Sequence, residues 1–331
     1  MLGFTAERAA LESQPIVVLA DDTGRRVRIA CHGAALLSFE VPRGGGRFDL
    51  AWGYHDATDI VARTGSHFAI LAPFAGRVRD ARYHFAGRIY DLQPGVRGRA
   101  RGIRHGFVRD ADFTVAELAA GANSARVTLA TEAMHLRPGY PFCIDLAVSF
   151  MLDASGLALE VRMRNSGEQA APCFCGWHAY LRPADGRADD WVLEIPARSI
   201  VRTDAQSIPL AGKAAYNTVA ESPALDFSQP RRIGVTVLDN GYADLIAGDD
   251  GRLHSRLTDP ATGCWVGTWQ ERGVLQAFTG DTLPAGARSA VALEPMESLA
   301  DAFNCSDCAA AIRLAPGAER IFRCGLEFGR T

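Results

Sequence analysis

From Pro15 onward the chain breaks into short apolar-rich or alternating runs, most of them four to eight residues long, and this limits it to a strand-built fold. The runs are Ile16–Leu19, Val27–Cys31, Ala35–Phe39, Val127–Ala130, Cys143–Phe150, Leu157–Arg164, Val192–Ile195, Val235–Leu238 and Val274–Phe278. They are rich in Val, Leu, Ile and Phe. Turn-forming sequences punctuate the chain between them, including Asp153-Ala154-Ser155-Gly156, Asn165-Ser166-Gly167 and Asp249-Asp250-Gly251. Short apolar runs bounded by such residues suit β-strands. Helical periodicity is confined to Ala111–Ala120 and Ser298–Phe303, and the alternation of strand and long helix that a parallel α/β fold requires is absent. The expectation is an all-β chain of stacked antiparallel sheets with one continuous core, a single domain spanning 1–331. Gly44-Gly45-Gly46 is expected to be a hairpin tip.

With 48% apolar and 22% charged residues, the 331-residue chain has the composition of a globular protein with a large core. A net charge of −3 gives no general attraction to nucleic acid or to an anionic membrane. The first twenty residues hold no basic leader followed by an apolar run, and no stretch approaches the ~20 apolar residues of a membrane helix. A cytoplasmic location is expected. Eight cysteines in 331 residues are too sparse for a disulfide scaffold, so reduced thiols are expected.

Three residues stand in contexts that suit proton transfer. Glu294 follows Ala290-Val291-Ala292-Leu293, where a strand would hold a carboxylate rigidly and partly out of water. His105 lies in Arg104-His105-Gly106-Phe107 and His178 in Gly176-Trp177-His178-Ala179-Tyr180. A carboxylate base and an imidazole acid form a minimal acid–base set. In isolation each has a plainer explanation: a solvated strand end for Glu294, a turn histidine for His105 and a satisfied core residue for His178. The other six histidines are taken as structural. Cys173 and Cys175 precede His178, and Cys305 and Cys308 follow Glu294; four thiolates could bind zinc if the two segments met. C-x-C with a lone C-x-x-C is a poor zinc signature, so packing thiols are expected and no metal or other cofactor is assigned.

The segments Pro73-Phe74-Ala75-Gly76-Arg77-Val78, Tyr83 to Leu92, Arg104-His105-Gly106-Phe107, Gly139-Tyr140-Pro141-Phe142, Gly176 to Leu181, Leu238-Asp239-Asn240-Gly241-Tyr242, Gln276-Ala277-Phe278-Thr279-Gly280 and Leu293-Glu294-Pro295-Met296 resemble, in order, the aldose 1-epimerase (galactose mutarotase) family. The resemblance implies a large antiparallel β-sandwich of the galactose mutarotase-like type and a cofactor-independent isomerase that interconverts the α and β anomers of an aldose. It further implies Glu294 as base at the anomeric hydroxyl, His178 as acid at the ring oxygen and His105 as a hydrogen-bonding partner beside it. Arg77, Asp239 and Gln276 would bind sugar hydroxyls, and Trp177 or Tyr180 could offer a flat face to the ring.

Two departures stand out. The usual His-Pro-Tyr-Phe is His178-Ala179-Tyr180-Leu181, and the usual Asn-Arg-Ile is Gly76-Arg77-Val78. Altered specificity is expected. Nine arginines lie between Arg77 and Arg109 inclusive, and Arg77, Arg79, Arg97, Arg99, Arg101 and Arg104 flank the two motifs. They are either a solvated loop or a site for a phosphate or carboxylate on the substrate. Alternative functions are a hexose-phosphate 1-epimerase and a non-catalytic carbohydrate-binding protein on the same fold; a lyase or glycosidase would need a second carboxylate across the cleft or a tyrosine base. A small-molecule sugar is the expected partner, and the chain is expected to be a monomer or homodimer.

Overall fold

A computed structural model of the chain describes residues 3–98 and 101–331. Its strand ladders are all antiparallel among the described residues, and three sheets carry the architecture. The largest has nine strands in the order Thr114–Ala120, Ser124–Thr131, Ile144–Asp153, Gly156–Asn165, Glu319–Arg330, Cys264–Gln270, Leu253–Thr258, Val192–Glu194 and Arg231–Arg232. The second runs Tyr216–Thr218, Ala197–Val201, Asp239–Leu245, Val274–Phe278, Val291–Met296, Gly176–Trp177 and Ile70–Leu71, with Tyr180–Leu181 also paired to Val291–Met296. Five strands from Phe4–Leu11 to Gly46–Asp49 form a meander in sequence order.

The core follows from alternation. In Ile144–Asp153, Ile144, Leu146, Val148, Phe150 and Leu152 point inward and are buried, and their partners in Gly156–Asn165 do the same. One apolar cluster, from Phe4 to Leu326, takes in side chains of all three sheets. The fold is the expected β-sandwich.

The Gly44-Gly45 pair, with φ of 58° and 81°, closes the hairpin in which Arg43 faces Gly46. Both φ values are left-handed, which favours glycine. Elsewhere the sequence misleads. Ala111–Ala120, expected as a helix, contains the strand Thr114–Ala120. A bulge between Val115 and Glu117 places Val115 and Leu118, three apart, on the same core-facing side, which imitates helical spacing. Ser298–Phe303 yields only a 3-10 turn at Ala302–Asn304. Val235–Leu238 is not a strand: Val235 is 92% exposed, and the Arg288 guanidinium donates to the Gly234 and Thr236 carbonyls that a ladder would otherwise use. The one α-helix among the described residues, Ala57–Ala62, is capped by Asp56, whose carboxylate accepts from the Asp59 amide at 2.8 Å.

Candidate active site

The floor of the site is the middle of the second sheet. Val291–Met296 is buried at all six positions and is paired on both sides, with Val274–Phe278 and with the short pieces Gly176–Trp177 and Tyr180–Leu181. Its register puts Gln276 opposite Glu294 and Gly241 opposite Gln276. On the other side Gly176 faces Met296 and Tyr180 faces Ala292, so His178, in the gap between the two pieces, falls opposite Glu294. The Leu293 amide donating to the Ala179 carbonyl keeps this register across the gap. Gly241, Gln276, Glu294 and His178 therefore form a row across the sheet.

The cleft above this row has a volume of about 340 Å³, and its lining brings together all six residues singled out from the sequence: Glu294, His178, His105, Arg77, Asp239 and Gln276. His178 Nε2 lies 3.5 Å from Glu294 Oε1, and the two residues are 6% and 3% exposed. The His105 and His178 rings meet edge to face at 5.3 Å. Gln276 Nε2 donates to Asp239 Oδ1 at 2.7 Å, which orients the carboxylate at the rim. Gly241 keeps the floor open where a side chain would press against Val201 and Gln276.

Local backbone fixes the histidines. His105 and Gly106 have φ of 65° and 67°, and a Cβ on Gly106 would stand 1.8 Å from the Ala72 carbonyl oxygen, so glycine is obligatory there. The His105 amide donates to the Gly76 carbonyl. Behind His178, the Tyr180 ring stacks at 4.9 Å and His67 stacks on Tyr180 at 4.4 Å. Tyr180 donates its hydroxyl to the Gly65 carbonyl, and His67 Nδ1 contacts the Trp52 carbonyl at 2.7 Å. His67 is thus structural, as expected, yet it braces the platform under His178.

Burial governs the electrostatics. It pushes the Glu294 carboxyl well above the usual range, with the Asp239 charge adding to the rise and Arg104 opposing it. It lowers the His178 imidazole to about 3, with His67, Arg104 and Arg109 acting in the same direction. His105 is driven well down by burial, then by His178 and Arg104. Nδ1 of both His105 and His178 is buried without a hydrogen-bond partner among the described residues. Among the described residues, Glu294 carries the one carboxyl group at ion-pair distance from His178. Glu297, three residues on, is different: Arg272 at 2.7 Å and Arg320 at 3.3 Å neutralise it, and the Cys175 amide donates to it. Glu294 has no guanidinium at ion-pair distance among the described residues, so its carboxyl remains available for proton transfer.

Other expectations need correction. Trp177 is fully buried and donates to the Phe68 carbonyl, so it presents no face to the cleft, and Tyr180 lies behind His178. Phe278, Met296, Leu299 and Val201 supply the apolar lining instead. Gly76 has its missing Cβ only 2.6 Å from the Ala300 Cβ, so Ala300 fills the space an asparagine would enter. The arginines do not act as one cluster. Arg79 pairs with Asp204 at 2.6 Å, Arg101 pairs with Asp91 at 2.6 Å and caps loop carbonyls, and Arg99 lies outside the described residues. Of the six, Arg77 and Arg104 line the cleft. Arg104, adjacent to His105, was foreseeable only as a member of the arginine run. All eight cysteines are free, and among the described residues no group of three or more His, Cys, Asp or Glu is arranged to hold a metal ion.

Fold and cleft together define a β-sandwich protein with a carboxyl–imidazole pair on the floor of a polar cleft. Residues 15–326 match the aldose 1-epimerase family, and the chain belongs to that family. YihR of Escherichia coli K12, an uncharacterized protein, is 28% identical over 238 residues, 71% of each chain. Galactose 1-epimerase from Lactobacillus acidophilus NCFM superposes with a TM-score of 0.82 at 17% identity, over 100% of this chain and 99% of its own. The GalM/aldose epimerase homologue from C. elegans gives a TM-score of 0.79 at 18% identity, over 94% and 97%. At these identities the structural likeness is one of fold.

Proposed function

We propose that this chain, acting as a single domain over residues 1–331, is an aldose 1-epimerase that interconverts the anomers of an aldose by acid–base ring opening. The observation that carries the reading is the contact of Glu294 with His178 at 3.5 Å on the buried floor of the cleft. With the cyclic sugar bound, Glu294 as carboxylate takes the proton of the C1 hydroxyl, while His178 as imidazolium gives one to the ring oxygen. The C1–O5 bond breaks and C1 becomes an aldehyde. Rotation about C1–C2 presents the other carbonyl face, and the same two transfers in reverse close the ring as the opposite anomer.

The proton count supports this assignment. Burial favours a neutral carboxyl and a neutral imidazole, which is the protonation state the pair reaches when the aldehyde has formed. The empty site and the open-chain complex therefore hold the same single mobile proton, and both directions of the reaction begin without exchange with solvent. Asp239, held by Gln276, accepts from sugar hydroxyls, His105 and Arg77 donate to them, and Phe278 offers an apolar surface to the ring.

Anomer exchange followed by saturation-transfer NMR across a panel of aldoses tests the reading. Acceleration of at least one sugar, lost in Glu294→Gln, is the expected result. No acceleration of any neutral or charged aldose would leave a carbohydrate-binding protein as the better account.

A further inference from the structure

The short ladder Arg77–Val78 with Ile103–Arg104 sets Arg77 directly opposite Arg104. Like charges facing each other across a ladder destabilise it unless something offsets the repulsion. Other arginines have such an offset: Arg79 has Asp204, Arg101 has Asp91, Arg272 has Glu297 and Arg288 has Asp189 and Asp281. Arg77 and Arg104 form no ion pair and no side-chain hydrogen bond with any described residue, yet both line the cleft that holds Glu294 and His178. Two adjacent guanidiniums, each with a planar set of N–H donors, match an oxyanion better than a neutral hydroxyl.

We propose that Arg77 and Arg104 form an oxyanion clamp, and that the preferred substrate is an aldose with an anionic group at C6. This rests on the mutarotase reading for the position of the sugar. If His178 serves the ring oxygen, the next ring atom is C5, and the C6 substituent leaves the ring beside His178. His105 stands against His178 there, and Arg104 is its neighbour in the chain. A C6 oxyanion thus faces the wall that carries both arginines, while C1 stays over Glu294. Carboxylate, phosphate and sulfate share the chemistry the clamp recognises and differ in shape and charge.

The test is kcat/KM for anomer exchange of a neutral hexose and of its uronic acid, 6-sulfate and 6-phosphate, at two ionic strengths. At least one anionic sugar is expected to exceed the neutral parent by about tenfold at low salt. Because both arginines are exposed at the rim, the advantage should shrink as salt is added. Arg104→Gln is expected to bring the anionic-to-neutral ratio close to one, and the best of the three anions identifies the group. Equal or lower values for all three, or a ratio untouched by Arg104→Gln, would overturn the clamp while leaving the mutarotase intact. Titration calorimetry of Glu294→Gln with the same sugars separates the two claims. Tighter binding of an anion by Glu294→Gln retains the clamp, and absence of turnover by the parent protein rejects the reaction.

Discussion

Glu294 and His178 occupy opposite positions of one antiparallel register, although the ladder between their strands is interrupted at His178 itself. Their 3.5 Å contact is therefore set by the backbone of the sheet, and under the proposed reaction the two side chains need little reorganisation to exchange a proton through a bound sugar.

Replacing Glu294 by Gln should separate activity from stability. Loss of a positioned base costs ~10²–10⁴-fold in anomer exchange. The fold should gain. The Glu294 pKa is raised in the folded state, so as pH rises above the unfolded value the native protein retains a proton that the unfolded chain has released, and stability falls. Gln carries no such dependence. The Tm advantage of Glu294→Gln over the parent should widen from about pH 4.5 upward. A lower Tm at every pH would show that Glu294 is held as a paired ion.

The same shifts predict an unusual pH profile. A free histidine of ordinary pKa would give an inflection near about 6.5. With His178 lowered to about 3 and Glu294 raised by burial, neither group titrates as its free counterpart does. kcat/KM for a fixed sugar should show no histidine inflection in the neutral range. A bell centred near neutrality would mean that the imidazole titrates freely.

Tyr180 is expected to bear on activity through His178, on which its ring stacks. Its ring supports His178 on one face and rests on His67 with the other. Tyr180→Leu should lower kcat by about ten- to a hundredfold, the usual penalty for a misplaced catalytic group, with little change in KM. Tyr180→Phe preserves the stack and should retain most activity. Equal losses in both variants would point to the hydroxyl bond to Gly65 instead.

Gly76 and Ala300 are coupled by contact, with only 2.6 Å between the glycine's virtual Cβ and the Ala300 Cβ. Gly76→Asn alone should destabilise the fold and disturb the loop that carries Arg77. Combined with Ala300→Gly, much of the loss should return, and a double-mutant cycle on Tm measures the coupling. Additive effects would mean the loop shifts freely.

Legibility from sequence followed the physics of each signal. Strands with apolar residues at every second position, such as Ile144–Asp153, were readable because a half-buried sheet imposes a period of two. Thr114–Ala120 was not, since a bulge converts that period into a spacing of three. Val235–Leu238 has the composition of a strand but not the hydrogen-bond partners, which come from Arg288, 52 and 54 residues away. All six residues chosen for the site line one cleft; each motif is weak alone, and they were legible because several resemble the family's in order. The fate of the arginines was hidden: whether a guanidinium faces the cleft or a distant Asp204 depends on loop packing that no short segment encodes.

Gly241, Gln276 and Glu294 lie within paired strands of one sheet with His178 in the gap beside them, whereas Arg77 and Arg104 sit on a separate two-residue ribbon joined to it by loops. On the proposed reading, mutational drift in that ribbon can change which sugars are admitted without disturbing the Glu294–His178 contact. The division makes the wall the natural target for retuning this scaffold toward a new client, and the floor the part to leave alone.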